Sequence, residues 1–251
     1  MAYVHSEVID NVAVVTLNDP DKRNAVNLAM NGELHAMFDE LEASSTIGAV
    51  VITGTPPAFC AGADLDDLLA SGRPDTMRDI YGGFLRVAHS PLPTVAAVNG
   101  AAVGAGMNMA LACDLIIAAT SARFDSRFLQ IGIHPGGGHT WRLRRITNHQ
   151  TAMAMVVFGE VLSGEAAAQH GLAWACVDDE ELLDHATALA SRAASFPSEL
   201  TMRTKATIVG LDHILESEDA VDLEIEPQVW SMGEPEFQAL VEKLQARIRG
   251  N

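Results

Sequence analysis

The sequence predicts an α/β fold of βαβ units that is followed by a helical region. Short apolar runs of strand length alternate with segments of helical periodicity. Glycine-rich stretches follow two of these runs, as expected where a strand turns into a helix. From about residue 140 onward, one helical pattern follows another. We therefore expect parallel strands joined by right-handed crossovers. The apolar runs are residues 49–53, 94–98 and 115–119.

Length, composition and charge restrict the possible functions. The 251 residues suit one α/β domain with an appendage, and 48% apolar residues supply a core. The formal net charge is −17, from 16 basic and 33 acidic residues, which disfavours nucleic acid and anionic membranes as partners. The N-terminus does not resemble a signal peptide, and no run of eighteen apolar residues occurs. We expect a cytoplasmic protein that does not bind membranes.

The cysteines give no sign of a disulfide framework or a metal site. Cys60, Cys113 and Cys176 are odd in number, far apart, and form no C-x-x-C pair. We expect reduced thiols and no bound metal.

The first half of the chain divides into clear elements. Residues 3–9 and 12–17 flank Asp10-Asn11, a link that suits positive φ, and so predict a β-hairpin. Apolar residues recur at helical spacing between residues 28 and 41. Further elements are predicted at 64–70 (helix), 76–89 (helix) and 123–124 (strand).

The second half is predicted to be mostly helical, with one short strand at 174–177. These helices could cover a pocket or assemble subunits. They are predicted at 140–158, 163–170, 179–195, 198–216, 219–230 and 235–248.

The glycine-rich stretch at 99–111 is the main candidate for a functional site. Glycines at its turn let another molecule approach bare peptide groups, and the N–H groups near Ala105 and Gly106 lack intrahelical partners. They could hold a phosphate or an enolate-like oxygen. A simple packing turn is an alternative, and a dinucleotide fingerprint is disfavoured because its third glycine is missing. The similar stretch at 58–64 suggests that two strand ends each offer one N–H to a single oxygen.

A series of motifs resembles the crotonase superfamily, the enoyl-CoA hydratase and isomerase family, over nearly the whole chain. They occur in the order and at the spacing of that family. The motifs are residues 20–26, 50–54, 58–65, 93–100, 112–114, 132–138, 163–167 and 171–172.

The resemblance implies a fold and a ligand. The fold would be a spiral of ββα units over residues 1–195, with a C-terminal helical trimerisation region over 196–251. Members are usually trimers or dimers of trimers. The ligand would be a coenzyme A thioester, with no covalently bound cofactor. Its carbonyl would lie between the backbone N–H groups of Ala63 and Ala105, which form an oxyanion hole.

The resemblance also implies contacts to the CoA moiety. Lys22 and Arg23 are candidates for its phosphates, although a loop Lys-Arg pair is often only a solvated surface feature. Asp64 could instead cap a helix. Lys243 lies in a segment similar to the family's closing helix, but the basic residue that commonly follows is replaced by Leu244. The implied CoA-binding residues are Lys22, Arg23, Ala25, Ala61, Asp64, Leu65 and Lys243.

Two positions depart from the family's hydratases, which resemble each other in using two glutamates to hold and deprotonate water. Asn108 and Phe128 occupy the corresponding positions here. Asn108 can hydrogen-bond water but cannot take its proton, and Phe128 can do neither. Because acid–base catalysis contributes about 10²–10⁴-fold, ordinary hydration or isomerisation should be weak.

Two histidines could replace the missing glutamates. His134 and His139 lie in the following loop, where a histidine could act as acid or base near neutral pH. Alternatively, both could fill space or bond to backbone. Asp125 is interpreted as a strand-end carboxylate, and Arg127 as a ligand contact or a salt-bridge partner.

Two hypotheses of different class therefore remain. The first is an enzyme that acts on a polarised acyl-CoA thioester by hydration, isomerisation, decarboxylation or thioester cleavage. The second is a binding protein that holds acyl-CoA without turnover. The histidines favour the first hypothesis, whereas the apolar Phe128 favours the second. The catalytic candidates are Ala63, Ala105, Asn108, Phe128, His134 and His139.

Overall fold

Two β-sheets and eleven α-helices make up the computed structural model, which describes residues 2–249. The sheets have the strand orders β1-β2-β3-β5-β7-β10 and β4-β6-β8-β9. The strands are β1 (Val4–Ile9), β2 (Val12–Leu17), β3 (Ala49–Gly54), β4 (Ala58–Cys60), β5 (Thr94–Val98), β6 (Ala101–Val103), β7 (Leu115–Ala119), β8 (Arg123–Asp125), β9 (Leu162–Ser163) and β10 (Ala175–Val177). The helices are α1 (Leu28–Ala43), α2 (Leu65–Ala70), α3 (Pro74–Ala88), α4 (Ala105–Leu111), α5 (His139–Ile146), α6 (His149–Val156), α7 (Gly164–Gln169), α8 (Leu182–Ala194), α9 (Ser198–Gly210), α10 (Ser217–Gly233) and α11 (Pro235–Arg249).

The larger sheet confirms the predicted hairpin and the predicted parallel strands. β1 and β2 pair antiparallel, and Asp10 in their link has a φ of 52°. The pairs β2·β3, β3·β5, β5·β7 and β7·β10 are all parallel. Every residue of β5 is buried, which explains why the four residues after Thr94 are continuously apolar rather than alternating.

The chain repeats one ββα arrangement three times. In each repeat the first strand joins the larger sheet, the second joins the smaller sheet, and a helix follows. The repeats begin with β3-β4, β5-β6 and β7-β8. This is the spiral of ββα units that the resemblance implied, so the predicted fold class is confirmed. β4, β6 and β9 were not predicted, because strands of two or three residues carry no detectable periodicity.

Both faces of the larger sheet are covered. α8 packs Leu182, Ala186 and Ala190 against one face, with a cluster that includes Val51 and Ile117. The other face supports the main core, to which α1, α3 and α4 contribute. The site described below lies on this second side, where the helices meet the smaller sheet.

The predicted helix at 140–158 is wrong as a single element. α5 ends at Ile146, and Asn148 begins α6 by accepting a hydrogen bond from the Thr151 N–H at 3.0 Å. This side-chain cap satisfies an N–H that the first turn of a new helix leaves free. The helical segment is therefore divided at this residue. The predicted helix at 198–216 likewise ends earlier, at Gly210.

The last three helices are only partly buried within the chain. No residue of α9, α10 or α11 is fully buried. Several of their large apolar residues are exposed, including Val221, Val229 and Ile248. No helix in residues 2–249 is long and apolar enough to cross a membrane.

Candidate active site

A cavity of about 760 Å³ opens where the ββα repeats end, and it gathers most of the predicted site residues. Its walls come from the loop at 20–26, from α2 and α3, and from the segments that follow β4, β6 and β8. Two predicted residues do not line it. His139 lies behind the wall, and Lys243 lies elsewhere, in α11. The predicted residues that line it are Lys22, Arg23, Ala25, Ala61, Ala63, Asp64, Leu65, Ala105, Asn108, Phe128 and His134.

Ala63 and Ala105 enter this cavity from neighbouring strands. β4 and β6 pair in parallel, so the segments that follow them meet at one edge of the smaller sheet. Ala105 is the first residue of α4 and therefore has no intrahelical partner for its N–H. Within residues 2–249, neither the Ala63 nor the Ala105 N–H donates a hydrogen bond to another protein group. Two backbone donors of cavity-lining residues are thus left without a protein acceptor among the described residues.

Two glycines fix the approach to these amides. Gly104 has a φ of 50° at the entry to α4, a conformation that residues other than glycine rarely adopt. At Gly106 a Cβ atom would lie 2.0 Å from the Cys60 carbonyl oxygen, so α4 can pack against β4 only because this residue lacks a side chain. These contacts set the position of Ala105 relative to the end of β4.

The loop at 20–26 is attached to the cavity by polar contacts. The buried Asn24 side chain donates to the carbonyls of Thr55 and Ala58, each at 2.8 Å. Lys22 Nζ lies 2.6 Å from Asp64 Oδ2. Hydrogen bonding within this pair raises the pKa of Lys22 and lowers that of Asp64.

Asp64 also caps α2. Its Oδ1 accepts from the N–H groups of Asp66 and Asp67, at 2.9 and 3.3 Å. The helix-cap interpretation of Asp64 is therefore correct, although the residue also lines the cavity.

Three side chains, two in the cavity wall and one behind it, form a hydrogen-bonded series. His139 Nε2 lies 2.8 Å from Ser126 Oγ, and His139 Nδ1 lies 2.8 Å from Asn108 Oδ1. All three residues are almost completely buried, but Ser126 and Asn108 also line the cavity. The sequence indicated Asn108 and His139 but missed Ser126.

The sequence left open whether His139 acts as an acid or base near neutral pH or only fills space and bonds to its neighbours. Burial, with a further contribution from the charge of Arg142, lowers its pKa to about 4. A buried imidazole with this pKa is neutral at pH 7. It can therefore accept a proton from another group, but it carries no proton to donate as an imidazolium. Its ring packs edge-on against Phe128, with 4.9 Å between the ring centroids.

The remaining candidates divide by exposure. His134 is exposed, and its Nδ1 lies 2.7 Å from the Pro135 carbonyl oxygen. This matches the interpretation of a loop histidine that bonds to backbone. Asp125 is buried and forms an ion pair with Arg127 through Nε at 2.8 Å, as the salt-bridge alternative predicted.

Comparison with known protein families shows to which family this chain belongs. A family model described as enoyl-CoA hydratase/isomerase matches residues 7–249. The chain belongs to the enoyl-CoA hydratase/isomerase family. It is therefore a crotonase superfamily member, as the sequence motifs indicated.

Curated relatives and solved structures of the enoyl-CoA hydratase/isomerase family agree with this assignment. A "Probable enoyl-CoA hydratase" of Mycobacterium tuberculosis is 44% identical over 94% of this chain and 95% of its own length. The 1,2-epoxyphenylacetyl-CoA isomerase of Escherichia coli is 37% identical over 79% of this chain and 78% of its own. An enoyl-CoA hydratase structure from Polaromonas superposes with a TM-score of 0.90 at 25% identity, covering 97% of both chains.

Proposed function

We propose that this protein binds acyl-CoA thioesters in the cavity and polarises their carbonyl between the N–H groups of Ala63 and Ala105. The observation that carries the proposal is the pair of amides without protein partners at the edge of the smaller sheet. Such preorganised donors stabilise the negative charge that develops on a thioester oxygen, and loss of one typically costs about 10²–10³-fold in rate.

The CoA moiety is proposed to lie along the loop at 20–26 and the start of α2. Lys22 and Arg23 supply positive charge for its phosphates. Ala25, Ala61 and Leu65 form an apolar part of the cavity wall beside them. In free protein Lys22 pairs with Asp64, so a phosphate would have to share or replace that carboxylate.

Asn108 and Phe128 supply no carboxylate to a bound thioester, and His139 is proposed to take over proton transfer. It is neutral at pH 7 and contacts two cavity-lining side chains. The exposed His134 is a weaker candidate, because within residues 2–249 its ring is hydrogen-bonded only to the neighbouring Pro135 carbonyl. Phe128 makes the wall apolar, an observation that favours the alternative of a binding protein without turnover.

The C-terminal helices at 196–251 are proposed to assemble subunits into a trimer or a dimer of trimers. Their exposed apolar residues support this proposal. Lys243 does not line the cavity of its own chain, so it is proposed to reach CoA from a neighbouring subunit. Sedimentation velocity measures the assembly directly, and a monomer at micromolar concentration would contradict it.

Paired ligands test the carbonyl contact. Hexanoyl-CoA and its thioether analogue, hexyl-CoA, differ mainly in the carbonyl oxygen. Two net hydrogen bonds of about 1 kcal/mol each predict at least roughly 10-fold tighter binding of the thioester, measured by calorimetry with the two ligands in parallel. Equal affinities would contradict the role of the two amides. No binding of either ligand would contradict the whole proposal.

A further inference from the structure

The hydrogen bonds around His139 determine which of its nitrogens carries the proton. Asn108 Nδ2 donates to the Gly136 carbonyl at 3.1 Å, which turns Oδ1 toward His139 Nδ1. An amide oxygen can only accept, so Nδ1 must be the protonated nitrogen of the neutral ring. Nε2 then has a free lone pair, and it faces Ser126 Oγ at 2.8 Å. The serine hydroxyl is therefore placed to donate to a base.

The smaller sheet places this serine beside the proposed carbonyl site. β6 and β8 pair in parallel, with Val103 opposite Asp125. The next residues, Gly104 and Ser126, thus leave the sheet side by side, and neighbouring strands are about 4.8 Å apart. The Gly104 N–H donates to the Asp125 carbonyl at 2.9 Å and continues the pairing. Ala105 follows directly, so Ser126 reaches the cavity next to one of the two available amides.

We propose that Ser126 is a nucleophile that cleaves the thioester of a bound acyl-CoA, with His139 as its general base. Asn108 is a positioning residue, since it acts through His139. The inference rests on the proposed function, because it needs the thioester carbonyl beside Ala63 and Ala105. A serine, a histidine with protonated Nδ1, an acceptor that orients it and two backbone donors are the parts that nucleophilic acyl transfer requires.

In the first step, Ser126 Oγ forms a bond to the thioester carbon while its proton moves to His139 Nε2. The negative charge on the carbonyl oxygen is held by the two amides. When the tetrahedral species collapses, the C–S bond breaks and the proton passes from Nε2 to the leaving thiolate. The products of this step are free CoA thiol and an ester of the acyl group with Ser126.

In the second step, water attacks the ester carbon while His139 Nε2 takes its proton. The C–Oγ bond then breaks, and the proton returns from Nε2 to Ser126 Oγ. Overall, the acyl-CoA and one water yield a carboxylic acid and CoA, with no oxidant or reductant. Asn108 keeps Nε2 directed at the reacting oxygen throughout, as an uncharged acceptor.

The test uses the full-length protein with acetyl-CoA and hexanoyl-CoA at neutral pH. Released CoA is quantified by liquid chromatography, and acid-quenched samples are analysed by intact-protein mass spectrometry. We expect CoA release together with a mass gain equal to the acyl group, which peptide mapping assigns to Ser126. Ser126→Ala should lower CoA release by about 10³-fold or more and abolish the adduct. Ser121→Ala, on an exposed turn outside the cavity, is the matched control and should behave as the parent.

A second pair of variants tests the positioning role of Asn108. Asn108→Ala should lower kcat by about 10²-fold with little change in KM, because the imidazole loses its fixed orientation but the CoA site remains. Asn108→Asp retains an acceptor for Nδ1–H and should recover much of the rate. A purely structural role would give no selective recovery by aspartate. Ser126→Cys shows whether lost activity in the alanine variant could come from misfolding. It keeps a nucleophile of similar size and should still form the acyl adduct.

The outcomes separate this inference from the proposed function. Tight thioester binding, measured by calorimetry, with neither CoA release nor adduct from either substrate would overturn the nucleophile and leave the binding proposal intact. CoA release that survives Ser126→Ala would also overturn it. If neither thioester binds, both proposals fail together.

Discussion

His139 Nδ1 lies 2.8 Å from Asn108 Oδ1, so a neutral amide orients this imidazole where a carboxylate could have been. An amide does not stabilise the imidazolium as a carboxylate would. Burial, with a further contribution from the nearby charge of Arg142, lowers the pKa of His139 to about 4, so the ring is neutral at pH 7. The orienting partner of His139 Nδ1 is thus uncharged, and the proposed base has no carboxylate hydrogen-bonded to that nitrogen in residues 2–249.

Asn108→Asp should raise the pKa of His139 well above 4, because an opposite charge in contact with the ring favours its protonated form. NMR titration of the histidine ring measures this pKa. Asn148→Asp is the matched control: it adds the same charge at the cap of α6, where aspartate is also a good N-cap. An unchanged His139 titration in the Asn108 variant would show that the two side chains are not in contact.

The stability of the protein should fall as the pH falls from about 6.5 to 4. An unfolded histidine has a pKa near 6.5, so the unfolded chain takes up a proton in this window that native His139 excludes. The free energy of unfolding thus loses up to about 3 kcal/mol from this residue, while no such loss occurs above pH 7. Urea unfolding at pH 7 and pH 4.5 measures the difference.

His139→Gln, which cannot titrate, should have a flatter stability profile than the parent over this pH range. His134→Gln removes an exposed histidine from the same loop and serves as the control. Equal flattening in both variants would contradict the assignment to His139.

Gly106→Ala should destabilise the protein by about 2 kcal/mol or more, because the new methyl group would overlap the Cys60 carbonyl oxygen at 2.0 Å. Gly32→Ala provides a contrasting control inside α1, since nothing lies within 4 Å of its added Cβ. That change should stabilise by about 0.5–1 kcal/mol through helix propensity. Thermal and urea unfolding of both variants give the comparison, and effects of the same sign would contradict the packing of α4 on β4.

Lys22→Gln should weaken the binding of free CoA by about 3- to 10-fold, a modest effect because 54% of the Lys22 side chain is exposed and screened by solvent. The loss should shrink as salt is added. Arg203→Gln, which removes one positive charge from α9, is the control and should leave CoA affinity unchanged. Calorimetry at two salt concentrations tests both variants, and an equal loss in the two would point to net charge rather than to a phosphate contact.

The long buried elements were predictable from the sequence because their patterns are local. β5 is apolar at the four residues after Thr94, and the hairpin at Asp10 needs only two strands and a turn residue that tolerates positive φ. The three-residue strands β4 and β6 were not predictable, since they form only through pairing within the smaller sheet. The break at Asn148 did have a local signal: an asparagine that could cap a new helix three residues before Thr151.

The site was only partly predictable, for a related reason. Ala63 and Ala105 follow glycine-rich motifs that can be seen in the sequence, and both line the cavity. Ser126 lies two residues before Phe128, in a stretch that departs from the family's pattern, and its partners lie on separate segments of the chain. The available signal was a small polar residue directly after a strand that enters the same edge as the glycine-rich turns. The pKa of His139 depends on burial, which the sequence does not reveal.

The amides of Ala63 and Ala105 belong to the main chain, and this has an evolutionary consequence. A substitution at either position, except to proline, changes the side chain but keeps the donor. Mutations can therefore exchange the side chains at 108, 126, 128 and 139 one at a time, while the two amides of the proposed oxyanion hole are kept at each step. Proteins with this architecture could therefore change from one reaction to another during evolution, while each intermediate sequence keeps the two proposed backbone donors.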